Sequence, residues 1–187
     1  MNNTFTYILV FVLCFMAGND LSAQAQLQQL SESDLLLQPN ELLIDELQGE
    51  GNDAYIKQVG DYNEVELMQD QTDGAINLAK VLQTGDYNLA ILRQRGSGNQ
   101  AYVIQSGDGN LYELVNEGRD NNIVVFQDGN ENVILQQLVN SNNMNVKLIQ
   151  EGNGNEIIHI IEGINTQDFQ IIQKGDNLKL EIHQSGY

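Results

Sequence analysis

Glycine and asparagine recur on an eleven-residue period through most of this chain. That period limits its fold more than any other feature. Glycines fall at 49, 60, 74, 85, 96, 107, 118 and 129, then at 152, 163, 175 and 186, with Asn140 keeping the register between 129 and 152. Three residues after these positions stand Asn52, Asn63, Asn77, Asn88, Asn99, Asn110, Asn121, Asn132, Asn143 and Asn155. Two residues before the glycine there is often a glutamine, as at Gln83, Gln105, Gln150, Gln173 and Gln184. The unit is Gln-x-Gly-x-x-Asn-x-apolar-x-apolar-x, then Gln again. The turn after Gln69 carries three extra residues. Asn116, Leu138 and Ile161 replace glutamines, one-residue slips occur near Ile149 and Gly163, and Asn177 comes one residue early.

Each unit divides into a strand and a turn. From the Asn onward, apolar and amide residues alternate with period two: Asn88, Ala90, Leu92, Gln94, then Asn99, Ala101, Val103, Gln105. The Gly-x-x stretch after each Gln is turn chemistry. Two units make a strand-arc-strand rung of about twenty-two residues, the geometry of a solenoid. Residues 47–187 therefore predict twelve strands and six rungs of an all-β, amyloid-like β-solenoid, about 29 Å tall at the spacing of paired strands. Pro39 lies outside the repeats, as it must if every rung keeps its ladder bonds.

The recurring amides have a physical reason. A buried amide must satisfy its donors and acceptors. When the same amide recurs on the rungs above and below, each copy bonds the next. The expected inward ladder is Gln58, Asn63, Gln69, Asn77, Gln83, Asn88, Gln94, Asn99, Gln105, Asn110, Asn121, Gln127 and Asn132. The turns between are set by Gly60, Gly85, Gly96, Gly107, Gly118 and Gly129. Ala54, Ile56, Val65, Leu67, Ala79, Val81, Ile134 and Ile157 are expected to fill a thin core. Asn-Gly turns alone would not place Asn three residues after Gly at the head of each alternating set.

Composition excludes several functions. Lys plus Arg is 8 against 26 Asp plus Glu, a net charge of −18. That argues against nucleic acid, which needs a basic face, and against an anionic membrane surface. Pro is 1, so collagen is excluded. The 41% hydrophobic content excludes ordinary disorder. Asn and Gln make up about a quarter of the chain, matching polar ladders.

Residues Tyr7 to Ala17 form an apolar run too short to span a bilayer. Ala23 and Ala25 fit a small-residue cleavage site, so residues 1–25 read as a signal peptide with Gln26 as the first mature residue. The segment before the run lacks Lys and Arg. Cys14 lies inside the run and follows Leu13, not the small residue a lipid-attachment site needs. The mature chain then has no cysteine, and disulfides do not stabilise it.

The segment Gln83-Thr84-Gly85-Asp86-Tyr87-Asn88-Leu89-Ala90, continuing to Gln94, resembles the curlin repeat of bacterial curli fibre subunits. So does Gln94-Arg95-Gly96-Ser97-Gly98-Asn99-Gln100-Ala101. The resemblance covers about three quarters of the chain. It implies a secreted subunit that self-assembles into functional amyloid at the cell surface, for adhesion and biofilm matrix. It implies as partners other copies, further curlin-like subunits and an outer-membrane secretion pore. The Gly-Asp-Tyr-Asn-Leu-Ala stretch and Asp45-Glu46-Leu47 look more like the minor, nucleating curlin than the major one. This chain departs from the family in having about six rungs rather than five, and in replacing Ala by residues such as Tyr112 and Ile123. Residues 26–46 occupy the place of the family's secretion-addressing segment; read from the residues alone, they equally suit a cap on the first rung.

Other chemistry is weak. His159 falls at an inward apolar position, where a lone His is more often a core residue than a ligand. No His or Cys spacing suits zinc, and the Gly-x-Gly matches at 96–98, 107–109 and 152–154 are repeat turns. The sequence therefore predicts no enzyme, cofactor, metal or small-molecule substrate. The alternative is a secreted calcium-binding β-roll, favoured by turn acids Asp61, Asp86, Asp108 and Asp128 but disfavoured by the eleven-residue period. A solenoid enzyme or carbohydrate binder would need an aromatic platform, and aromatics are only 6%.

Overall fold

The structure is a computed structural model that describes residues 12–15 and 51–186. A short β1 (Val12–Phe15) precedes a regular series. The even strands are β2 (Asp53–Val59), β4 (Leu78–Thr84), β6 (Gln100–Ser106), β8 (Asn122–Asp128), β10 (Asn145–Glu151) and β12 (Asp168–Lys174). The odd strands are β3 (Glu64–Gln71), β5 (Leu89–Ser97), β7 (Leu111–Arg119), β9 (Val133–Asn142), β11 (Glu156–Glu162) and β13 (Lys179–Ser185). Even strands form one six-stranded sheet in sequence order, and odd strands form the other, with β1 added outside β3. Every pairing is parallel. Parallel neighbours normally need a long crossover. Here each strand pairs with the next but one, so one opposite strand and two tight turns make the crossover. The result is a β-solenoid of six coils, each containing one strand of either sheet.

The register explains the departures from an exact period. Ladder partners are 25 residues apart between the first two coils, 22 apart as far as the fourth and 23 apart after it. The first excess lies in the turn between β3 and β4, which holds Gly74 outside the glycine columns. A later excess residue is Asn140. It bulges from β9 with φ 51, and Ser141 rather than Asn140 pairs with Gly118. One sequence expectation shifts with this slip. Met144, not Asn143, takes the inward place before β10, while Asn143 is exposed with φ 54. Leu178 takes the Asn place before β13, consistent with Asn177 coming one residue early.

Side chains alternate between a dry interior and solvent. In β6 the inward set Ala101, Val103 and Gln105 is buried, while Gln100, Tyr102, Ile104 and Ser106 face out. Inward residues stack in columns: Val65, Ala90, Tyr112, Ile134 and Ile157 in the odd sheet, and Ala79, Ala101, Ile123 and Val146 in the even one. Each fully buried side chain such as Leu92 or Leu148 contributes about 1.5–3 kcal/mol. Ala54 and Ile56 in the first coil pack on this core but remain half-exposed.

The expected signal peptide and the 26–46 segment lie outside the described residues, apart from the four residues of β1. That strand lies in register with β3, Val12 opposite Val65 and Phe15 opposite Met68.

Candidate functional site

The repeat amides and the two solenoid ends define the candidate site. Gln58 and Asn63, in the first coil, are half-buried. Gln69, Asn77, Gln83, Asn88, Gln94, Asn99, Gln105, Asn110, Asn121, Gln127 and Asn132 are all buried. They form separate columns. In the even sheet, Gln58 Nε2 donates to Gln83 Oε1 at 2.7 Å, Gln83 to Gln105 at 2.8 Å, Gln105 to Gln127 at 2.9 Å, and the series runs on through Gln150 to Gln173. From Gln83, Gln105, Gln127 and Gln150 the remaining Nε2 hydrogen crosses the interior; that of Gln105 reaches the carbonyls of Leu89 and Asn110. In the odd sheet Gln69 donates to Gln94 at 2.8 Å. That column then passes through Asn116 to Leu138 and Ile161, whose apolar side chains cannot continue it.

The asparagine columns run with the opposite polarity. Asn88 N–H and Nδ2 both donate back to Asn63 Oδ1 at 3.0 Å, and Asn110 does the same to Asn88. The second Nδ2 hydrogen reaches forward to a glycine carbonyl in the next coil: Asn63 to Gly85 at 2.6 Å, Asn110 to Gly129 at 2.8 Å. On the other edge Asn77 reaches Gly96 and Asn99 reaches Gly118, both at 2.9 Å. This is why Gly and Asn recur together. The glycines also keep the coils in contact. Gly85 has φ 109, and a Cβ there would strike the carbonyl of Gly107; at Gly118 it would strike the carbonyl of Ser141. Gly60, Gly107 and Gly129 share the column of Gly85, and Gly96 that of Gly118.

A third ladder runs along one edge, and its only sequence signal is an acid or amide after each glycine of that edge. The Asp61 N–H donates to Asp86 Oδ1 at 2.7 Å, Asp86 to Asp108 and Asp108 to Asn130, both at 2.8 Å, and the column continues through Asn153 to Asp176. Asp61, Asp86 and Asp108 were the turn acids that favoured a calcium β-roll. The carboxylates of Asp86 and Asp108 bond backbone instead, while Asp128 is exposed on the outer face of β8.

The ends of these ladders are complementary. In the glutamine and aspartate columns, each coil donates toward the C-terminal end. The first coil therefore presents Gln58 Oε1 and Asp61 Oδ1 as acceptors, and Gln69 Oε1 is buried with no partner among the described residues. The last coil presents the Asp176 N–H and the Gln173 Nε2, which donates to the Glu156 carbonyl at 3.1 Å. The asparagine columns do not match across the ends: Gln167 and Leu178 occupy the last coil where Asn52 and Asn63 stand in the first.

One polar cluster lies deep in the core. Tyr112 Oη donates to Gln136 Oε1 at 2.8 Å, and His159 stands beside Gln136 in the next coil. All three are buried, and Gln136 Nε2 and both His159 nitrogens have no hydrogen-bond partner among the described residues. Phe169 meets the His159 ring edge-on at 5.3 Å. Burial pushes His159 down to about 4 and pushes the Tyr112 hydroxyl well above its ordinary value. Alternation places Tyr112 and His159 inward, but nothing in the sequence says that their columns meet. On the outer surface, Arg93 bridges Glu66 at 3.4 Å and Glu113 at 3.2 Å, one coil to either side.

Stacked, self-bonding amide columns in a parallel β-solenoid define a structural repeat protein. The family model described as curlin associated repeat matches residues 85–114, which span β5, β6 and the first half of β7. The chain thus carries the curlin repeat. No curated protein and no solved structure matches it.

Proposed function

We propose that this chain is an exported, non-enzymatic subunit that polymerises head to tail into curli-type amyloid fibres at the bacterial surface, serving adhesion and biofilm matrix. The observation that carries this reading is the match between the ends. Placing β2 and β3 of one copy on β12 and β13 of another lets Gln173 donate to Gln58, and Asp176 to Asp61, as within the chain. An open sheet edge is a template for such pairing.

The remaining parts follow from the same reading. Residues 1–25 act as a signal peptide; removing them takes β1 away and leaves β3 as an open edge. Residues 26–46 address an outer-membrane secretion pore or cap the first coil. Partners are other copies and related curlin-like subunits, among which this chain is a nucleator or a major component. Nucleic acid and small-molecule substrates are not among them.

The test is to incubate purified residues 26–187 at neutral pH. Fibres whose diffraction shows the strand spacing of about 4.8 Å along the fibre axis support the reading. Protein that stays monomeric for days at tens of micromolar contradicts it.

A further inference from the structure

The turn edge that holds the aspartate ladder also holds two tyrosines that the fibre reading leaves unused. Tyr62 and Tyr87 follow Asp61 and Asp86 in successive coils, with φ 57 and φ 59. A left-handed backbone is unusual for an aromatic residue, and both adopt it. The Tyr87 N–H is bonded to the Asp61 carbonyl at 2.9 Å, which fixes the two turns one strand spacing apart. The rings stack with centroids 4.8 Å apart and planes 9° from parallel. They are 76% and 63% exposed. The next coil has Gly109 at this place, so the stack ends at two rings.

We propose that Tyr62 and Tyr87 form a site of oxidative cross-linking, at which a peroxidase-type one-electron oxidant joins the first two coils by a dityrosine bond. Each phenol gives one electron and one proton to the oxidant, leaving a phenoxyl radical with spin density on its ortho carbons. The two radicals couple through a new carbon–carbon bond between ortho positions. The ring hydrogens at those carbons then move to the oxygens and restore both phenols. The product has lost two electrons and two protons, and one hydrogen peroxide takes them up as two waters. Rings this exposed can tilt from the stacked arrangement to bonding distance without disturbing the core.

The other described tyrosines lack this geometry. Tyr112 is buried and donates to Gln136. Tyr55 and Tyr102 are half-buried on the outer face of the even sheet, and Tyr55 packs against Lys80, whose Nζ lies 4.9 Å from the ring centroid. The bond closes within one chain and does not require assembly. It fastens the first coil to the second at the edge opposite the long β3–β4 turn that connects them, and so hinders unravelling from that end.

The experiment oxidises the dilute full chain with a haem peroxidase and hydrogen peroxide, then unfolds and digests it with trypsin. Tyr62 and Tyr87 fall alone in separate tryptic peptides, residues 58–80 and 81–93. The expected result is a linked pair of these peptides, lighter by two hydrogens than their sum, as the dominant cross-link. Tyr62→Phe and Tyr87→Phe should each abolish it, and oxidation in guanidinium should remove its dominance. Links formed mainly between chains or through other tyrosines, including Tyr7 or Tyr187, would overturn the proposal. So would equal yield from the unfolded chain.

Discussion

Asn88 Nδ2 lies 2.7 Å from the carbonyl oxygen of Gly107, one coil further on, while its Oδ1 accepts from the N–H of Asn110 in that same coil. One side chain thus satisfies a turn carbonyl and a backbone amide that would otherwise be buried without partners. The effect of Asn88→Ala follows. It removes these bonds and orphans groups that cost about 1–3 kcal/mol each. Arg93→Ala breaks two ion pairs whose side chains are 40–46% exposed, worth about 0–1 kcal/mol after screening. Denaturant unfolding should show Asn88→Ala as clearly the more damaging change. Equal losses would mean that the ladder bonds contribute little.

The His159 cluster makes the core sensitive to acid. Above pH 6.5 the ring is neutral folded and unfolded alike. Between pH 6.5 and about 4 the unfolded chain takes the proton first, so stability falls; below about 4 both forms are protonated and the loss is complete. The shift corresponds to about 3 kcal/mol. His159→Leu should flatten the pH dependence of unfolding over that window. The same slope in both proteins would show that His159 is not its source.

The end coils predict the effect of substitutions on growth. Leu178 stands where an asparagine would accept from Asn63 of the next copy. Leu178→Asn should therefore speed elongation of preformed fibres, and Gln173→Ala should slow it with a smaller effect on monomer stability. Elongation rates from seeded growth would decide. A slower Leu178→Asn would contradict the proposed joint.

Stacking also brings Asp176 of one copy against Asp61 of the next, in a molecule of net charge −18. Added salt should shorten the lag between about 10 and about 500 mM, as the screening length falls. Asn130 and Asn153 accept the same bond in the same column without charge. Asp176→Asn should accordingly shorten the lag at low salt and weaken its salt dependence. A lag indifferent to both changes would remove charge from the encounter step.

Much of the solenoid was legible because the period is written in residues with opposite preferences. Asn88, Ala90, Leu92 and Gln94 alternate, and Gly85 precedes them in a turn, so strand, inward face and bend follow from local chemistry. The slips were harder. One extra residue at Asn140 moves the inward place from Asn143 to Met144, because a bulge absorbs a residue without changing the pattern around it. Contacts between columns were not legible at all. Tyr112, Gln136 and His159 meet across three coils, and the aspartate ladder depends on backbone N–H direction, which residue identity does not encode. The run containing β1 reads from sequence as an export signal because of its N-terminal position, while its residues Val12–Phe15 pair with β3.

The head-to-tail joint is the central claim, and a disulfide across it tests the claim most directly. Lys57 in β2 and Ile172 in β12 are each the fifth residue of their strand and face outward, so the joint would set them side by side. Neighbouring paired strands lie within the Cα range a disulfide spans. Residues 26–187 hold no other cysteine. Lys57→Cys and Ile172→Cys proteins, mixed, assembled and mildly oxidised, should give the mixed disulfide dimer as the main product. Fibres containing only like-with-like dimers, or no disulfide at all, would contradict the account.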